Sequence, residues 1–299
     1  MDCDGHRYGR RVIRLSSGAL VPAISLGTAL NHDRAEIALT VREAVEIGYR
    51  GIDTAEAYNN QPGIGDGIRE CSVPREQLYI SSKVWNTHHG YRETRRAFEN
   101  TLRELRTDYL DQYLIHWPGQ TESFLPTWKA LEDLYREGKV RVIGVSNFLV
   151  HHLKILMDHA EIMPLVNQLE LNPAFVPTET VAFCRTHKIQ VEATRPICWG
   201  KLDRFPAIRA IAEAHHKTPA QVTLRWHIQH GVRPLPKSVH KERLKENIDV
   251  FDFGLTEEEM KRIDALNTGI RETGQDPDTF WMLDTDFEEE NKRIMSGLR

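Results

Sequence analysis

The chain has 299 residues, 40% apolar and 27% charged, with 39 Lys+Arg against 43 Asp+Glu for a formal net charge of -4. That is an ordinary globular composition, long enough to bury a large core. The slight acidic excess and the lack of a basic run argue against nucleic-acid binding. The four cysteines, Cys3, Cys71, Cys184 and Cys198, show no CxxC spacing, so neither a metal site nor a disulfide framework is expected, and a reducing cytoplasmic setting is. The opening MDCDGHRYGRR lacks the apolar core of a signal peptide, and no stretch of ~18 apolar residues suggests a membrane span.

Taken in order, the chain first shows two short apolar runs around Ser16-Ser17-Gly18, a hairpin signal, then a strand near residues 24–26. From there strands alternate with helices. Ile37, Val41, Ala44 and Val45 recur at helical spacing before a strand at 51–53. Further strands are expected at 78–84, 111–116, 140–145, 165–169, 189–193 and 232–236, most of them separated by helical patterns. Gly138 stops one helix, Thr218-Pro219 opens another, and Thr256 with Glu259 forms a capping box for a late one. Eight βα repeats predict a parallel sheet covered by helices and closed as a (β/α)8 TIM barrel, with an N-terminal β-hairpin and an irregular C-terminal tail from about Arg271. A doubly wound open sheet would carry GxGxxG after its first strand. Gly63-Ile64-Gly65-Asp66-Gly67 lacks that spacing and reads as a loop leading into a helix. No linker interrupts the pattern, so residues 1–299 read as one domain.

In such a barrel the chemistry sits at the C-terminal ends of the strands. Those ends carry Asp53, Lys83, His116, Ser146-Asn147, Gln168, Thr194-Arg195 and Lys237-Ser238, with Tyr58 five residues beyond Asp53. Singly, each is an ordinary solvated or packed group. Together they place an acid, a phenol, an ammonium and an imidazole on one rim. A phenol with a pKa near ~10 donates a proton poorly at neutral pH unless a cation is close. Lys83 supplies that cation, with Asp53 to hold it, and neutral His116 can orient a carbonyl. Hydride delivery to a carbonyl carbon builds charge on oxygen that such a phenol can quench. The hydride itself must come from a cofactor.

GIDTAEAY, SSKVW, LIHWP, GVSNF, NQLELNP and LPKSVHKERLKENIDVF lie in that order over nearly the whole chain, which thereby resembles an aldo-keto reductase. The resemblance implies a catalytic tetrad of Asp53, Tyr58, Lys83 and His116, and NADPH (NADP+) as cofactor. It implies that Ser146, Asn147 and Gln168 hold the nicotinamide carboxamide. It assigns Lys237, Ser238 and Arg243 to the 2′-phosphate and Glu246 and Asn247 to the adenine. Gly27, Thr28, Thr194, Arg195, Ile197, Val239 and His240 complete the expected cofactor wall. The stretch KSVHKER gathers Lys237, His240, Lys241 and Arg243, which suit a dianionic phosphate. Tyr58, Trp85, His116, Trp117 and Trp281 are the expected substrate contacts, with specificity on the loops after Gly27 and Trp117 and on the tail.

Two departures stand out. Relatives place an aromatic stacker where this chain has Ala193-Thr194-Arg195-Pro196-Ile197. Thr194 cannot stack, and Arg195 has two openings, the cofactor pyrophosphate or an acidic substrate. The usual YGNE is Tyr58-Asn59-Asn60-Gln61, which leaves the phenol intact. The expected activity is carbonyl reduction by a cytoplasmic monomer without metal, nucleic acid or membrane. The competing reading is an NADP-binding regulatory or structural protein that keeps the barrel without turnover.

Overall fold

The computed structural model describes residues 12–280; Trp281 and the expected charged helix of the tail lie outside them. Two short strands, β1 (Val12–Arg14) and β2 (Leu20–Pro22), pair antiparallel around Gly18, whose φ of +87° suits a residue without Cβ. Eight strands follow: β3 (Leu26–Gly27), β4 (Gly51–Asp53), β5 (Tyr79–Val84), β6 (Leu110–Ile115), β7 (Val140–Ser146), β8 (Val166–Glu170), β9 (Gln190–Thr194) and β10 (Arg233–Pro234). Each pairs parallel with its sequence neighbour, in the order β3 to β10. The ring closes where Gly27 bridges Lys237 in parallel, with the amides of Ser25 and Gly27 donating to the carbonyls of Pro234 and Pro236 at 3.3 and 2.9 Å. The last strand is shorter than its apolar run because Pro234 and Pro236 have no N–H for the ladder. Their carbonyls still serve it.

The helices α1 (Arg34–Ile47), α2 (Gln61–Glu70), α3 (Tyr91–Leu105), α4 (Thr121–Arg136), α5 (Val150–His159), α6 (Thr178–Thr186), α7 (Pro206–Ala214), α8 (Pro219–Gln229), α9 (Lys241–Ile248) and α10 (Glu257–Asp264) wrap the sheet. The expected capping box forms, with Thr256 Oγ1 accepting the Glu259 amide at 3.2 Å, and the expected N-cap Thr218 makes one too, its Oγ1 accepting the Gln221 amide at 3.2 Å. The glycine-rich stretch 63–67 is not a loop, because it lies inside α2. The reason is a close approach. A Cβ on Gly63 would fall 2.4 Å from Ile37, and one on Gly65 would fall 2.4 Å from the Glu104 carbonyl. Glycine lets α2 wedge between α1 and α3, which outweighs its poor helix propensity.

The pleat then decides which side chains meet inside. In β5, Ile80 and Val84 point outward into the core beneath the helices, while Tyr79, Ser81 and Lys83 point inward by alternation. Their hydrogen bonds confirm it: Tyr79 Oη donates to Gln112 Oε1 at 2.7 Å, and Gln112 Nε2 donates to Ser81 Oγ at 3.1 Å. The hairpin covers the N-terminal end of the barrel, with Leu15 and Val21 packed on Tyr79, Leu114, Val142 and Val166. That leaves the opposite end open.

Candidate active site

At the open end, three polar side chains from separate strands meet. Asp53 closes β4, Lys83 lies near the end of β5, and Gln168 lies within β8. Lys83 Nζ donates to Asp53 Oδ2 at 2.8 Å and to the Thr54 carbonyl at 2.7 Å. Gln168 Nε2 donates to Asp53 Oδ1 at 3.0 Å. Burial works against the Lys83 ammonium, yet the charge of Asp53, then Tyr58, the Asp53 hydrogen bond and Glu192 outweigh it, and its pKa is raised. The lysine is therefore a fixed cation.

Tyr58 sits on a short 3-10 turn, residues 56–58, that leaves β4. The turn is clamped on both sides. Glu56 Oε2 accepts the Trp85 amide at 2.9 Å, and Asn60 Nδ2 donates to the carbonyls of Thr28 and Asn31 at 2.8 and 3.0 Å. The second asparagine of YNNQ thus ties the loop after β3 to the loop after β4. The ammonium of Lys83 lies 5.1 Å from the Tyr58 ring centroid. The His116 ring stands edge-on to Tyr58 at 5.7 Å and to Trp85 at 5.1 Å. Burial first, then the charges of Lys83, Arg195 and His89, push the His116 pKa well below 6.5. Its imidazole is held neutral.

A cavity of about 750 Å³ opens over this cluster. Asp53, Tyr58, His116 and Trp117 line its deep end, with Gly27, Thr28, Ser146, Asn147 and Gln168 beside them. It runs past Thr194, Arg195 and Ile197 to Lys237, Ser238, Val239, His240, Arg243, Glu246 and Asn247. Ser146 Oγ donates to the Gln168 carbonyl at 3.0 Å, and Asn147 Nδ2 donates to the His116 carbonyl at 3.0 Å. Of the basic cluster, Lys237 and Arg243 reach the cavity, whereas Lys241 pairs with Glu43 at 3.3 Å on the outer side. Residues two apart on a helix do not share a face, so Lys241 and Arg243 of α9 diverge. Trp85 is 1% exposed and lies behind His116 rather than on the cavity wall. Trp281 lies outside the described residues.

Further residues complete the site, and the motifs did not single out Glu192, Arg233 or Gln275 among them. Beneath the tetrad, Glu192 and Arg233 are both fully buried and ion-paired. Glu192 Oε2 accepts from Gln168 Nε2 at 2.9 Å and from Gln112 Nε2 at 3.0 Å. Lys83, Asp53, Gln168, Glu192 and Arg233 therefore form one charge-balanced chain down the barrel. The available signal was a charged residue at an inward-facing strand position. Trp199 and Gln275 also line the cavity. The tail that carries Gln275 is anchored by Glu170, whose carboxylate accepts from the Glu272 amide at 2.9 Å and Thr273 Oγ1 at 2.6 Å. Phe280 then lies over Trp117, with ring centroids 4.1 Å apart.

The arrangement joins a phenol, a cation beside it and a neutral imidazole at one end of an elongated cavity, with cations at the other. The sequence model of the Aldo/keto reductase family matches residues 23–268. The chain is 48% identical over 266 residues to the glyoxal reductase of Bacillus subtilis (strain 168), spanning 89% of this chain and 96% of that protein. It is 40% identical over 272 residues to the methylglyoxal reductase DkgA of Escherichia coli (strain K12), spanning 90% and 98%. A mutant of Gox0644, crystallised in complex with NADPH, superposes with a TM-score of 0.86 at 40% identity, covering 91% of this chain and 99% of the other. With matches of this length and identity, the chain belongs to the aldo/keto reductase family.

Proposed function

We propose that the protein reduces an aldehyde or ketone to the alcohol with NADPH, Tyr58 being the general acid. The observation that carries this reading is the approach of Lys83, Tyr58 and His116 at the end of a cavity whose far end holds Lys237 and Arg243. The cofactor fits the residues present. Gln168 turns its amide nitrogen to two carboxylates, Asp53 and Glu192, which fixes the orientation of the amide. Its Oε1 is left buried without a partner among the described residues, an acceptor suited to a carboxamide N–H. Lys237 and Arg243 suit a 2′-phosphate. When bound, NADPH supplies the hydride.

Each residue then has a distinct task. His116, neutral and wedged between Tyr58 and Trp85, donates a hydrogen bond to the carbonyl oxygen and fixes its angle. Tyr58 gives that oxygen its proton. The Lys83 ammonium stabilises the negative charge left on Tyr58, and Asp53 keeps the ammonium in place. Buried, water-poor surroundings strengthen these interactions. Ser146, Asn147 and Gln168 orient the nicotinamide, and Glu246 and Asn247 face the adenine. The same reading takes residues 1–299 as one domain of a cytoplasmic monomer. Small 2-oxoaldehydes are the first substrates to assay, given the glyoxal and methylglyoxal reductases among its relatives.

The test is Tyr58→Phe, followed by NADPH absorbance with methylglyoxal and by fluorescence titration of NADPH. Loss of the acid should lower kcat by about 10²- to 10⁴-fold while NADPH still binds. Undiminished turnover by the variant would remove Tyr58 from the role.

A further inference from the structure

The loop after β9 has a strained backbone. Arg195, Cys198 and Trp199 have φ of 52°, 48° and 57°, a left-handed conformation costly for residues with a side chain and concentrated at functional sites. The loop sets Arg195 against Trp199, the guanidinium carbon 5.1 Å from the ring centroid. Both side chains line the cavity that holds Tyr58 and His116. A guanidinium resting on an aromatic face keeps its in-plane N–H groups for an oxyanion.

Four buried donors on this wall, Arg195 Nε, Trp199 Nε1, Gln275 Nε2 and Trp117 Nε1, lack acceptors among the described residues. Gln275 and Trp117 are each only 5% exposed, and all four residues line the cavity. Buried donors normally have acceptors, so a ligand rich in acceptors is what this wall lacks. Two of the cavity's own carboxylates are engaged elsewhere, Asp53 with Lys83 and Glu246 with Thr218. Arg195 also opposes protonation of His116, so its charge is felt at the reacting end.

We propose that Arg195, backed by Trp199, recognises a carboxylate on the substrate, so that the protein prefers carbonyl compounds bearing a carboxylate to neutral ones of similar shape. This rests on the reductase reading above. The cofactor pyrophosphate would be recognised by the same oxyanion chemistry, and the test separates the two sources.

The experiment compares 4-carboxybenzaldehyde with 4-methylbenzaldehyde, both with NADPH, in the wild type, Arg195→Gln and Arg195→Lys. The wild type should favour the carboxylate in kcat/KM. In Arg195→Gln that preference should fall by about 10- to 100-fold, the worth of a charge-assisted hydrogen bond, through KM rather than kcat. Arg195→Lys, which keeps the charge but not the fork, should restore part of it. Loss of equal size on both aldehydes together with a raised KM for NADPH would hand Arg195 to the pyrophosphate and overturn the substrate assignment. An unchanged preference with an unchanged KM for NADPH would overturn oxyanion recognition. Tryptophan fluorescence titrated with benzoate supplies a readout without turnover: quenching in the wild type should be lost in Arg195→Gln. If neither aldehyde nor methylglyoxal consumes NADPH in the wild type, the reductase reading fails, while the titration still decides for or against Arg195.

Discussion

Arg233→Met tests whether the buried charge chain supports the site. The guanidinium is fully buried, pairs with Glu192 through Nη1, donates through Nε to the Pro22 carbonyl at 2.7 Å and through Nη2 to Ser25 Oγ, and lies 4.9 Å from the Tyr79 ring centroid. Methionine approximates the stem but makes none of these bonds. Glu192 is then left buried without its counter-ion, a change that costs about 4 kcal/mol. For 299 residues the unfolding entropy is about 0.6 kcal/mol/K, so the melting temperature should fall by about 6 °C. Urea unfolding and calorimetry measure both quantities. Adding Glu192→Gln removes the stranded charge while leaving an amide oxygen for Gln168 and Gln112, and should recover about half the loss. Full additivity of the two substitutions, or a loss below about 1 kcal/mol for Arg233→Met alone, would refute the coupling.

Arg243→Ala should raise the KM for NADPH by about 10- to 100-fold, the worth of charge-assisted bonds to a phosphate, and hardly affect NADH; equal effects in steady-state assays would discard the 2′-phosphate site. Gly65→Ala should destabilise the fold by about 1–3 kcal/mol, because its Cβ would lie 2.4 Å from the Glu104 carbonyl; denaturation at wild-type stability would show that α2 and α3 can separate. His116 should remain neutral as pH falls through 6.5, since burial and nearby cations depress its pKa, and its imidazole NMR shifts should stay constant there. The unfolded chain takes up that proton near pH ~6.5 and the folded one does not, so this residue makes folding less favourable as pH drops below that value. A His116 signal titrating at pH 6.5 would contradict the assigned environment.

Periodicity yields the alternation of strands and helices, because each leaves a different spacing in the chain, and eight repeats without GxGxxG then point to the barrel. The gathering of Asp53, Tyr58, Lys83 and His116 was also legible, since each belongs to a local motif at or just after a strand end. Sequence determined which groups gather at that end of the barrel, with Asp53, Tyr58 and His116 on the cavity and Lys83 buried behind them. Only the tertiary structure decided what each faces. Gln168 can present Oε1 to the cavity because two carboxylates from β4 and β9 claim its nitrogen, a contact between residues 115 and 24 positions apart. The direction of Lys241 depended on the angular step of α9, the helical state of residues 63–67 on how closely α1 and α3 approach, and the pairing of Arg195 with Trp199 on left-handed backbone angles. Spacing records which face a residue occupies, whereas the partner it meets is set by chain segments distant in sequence and brought together only by closure of the barrel.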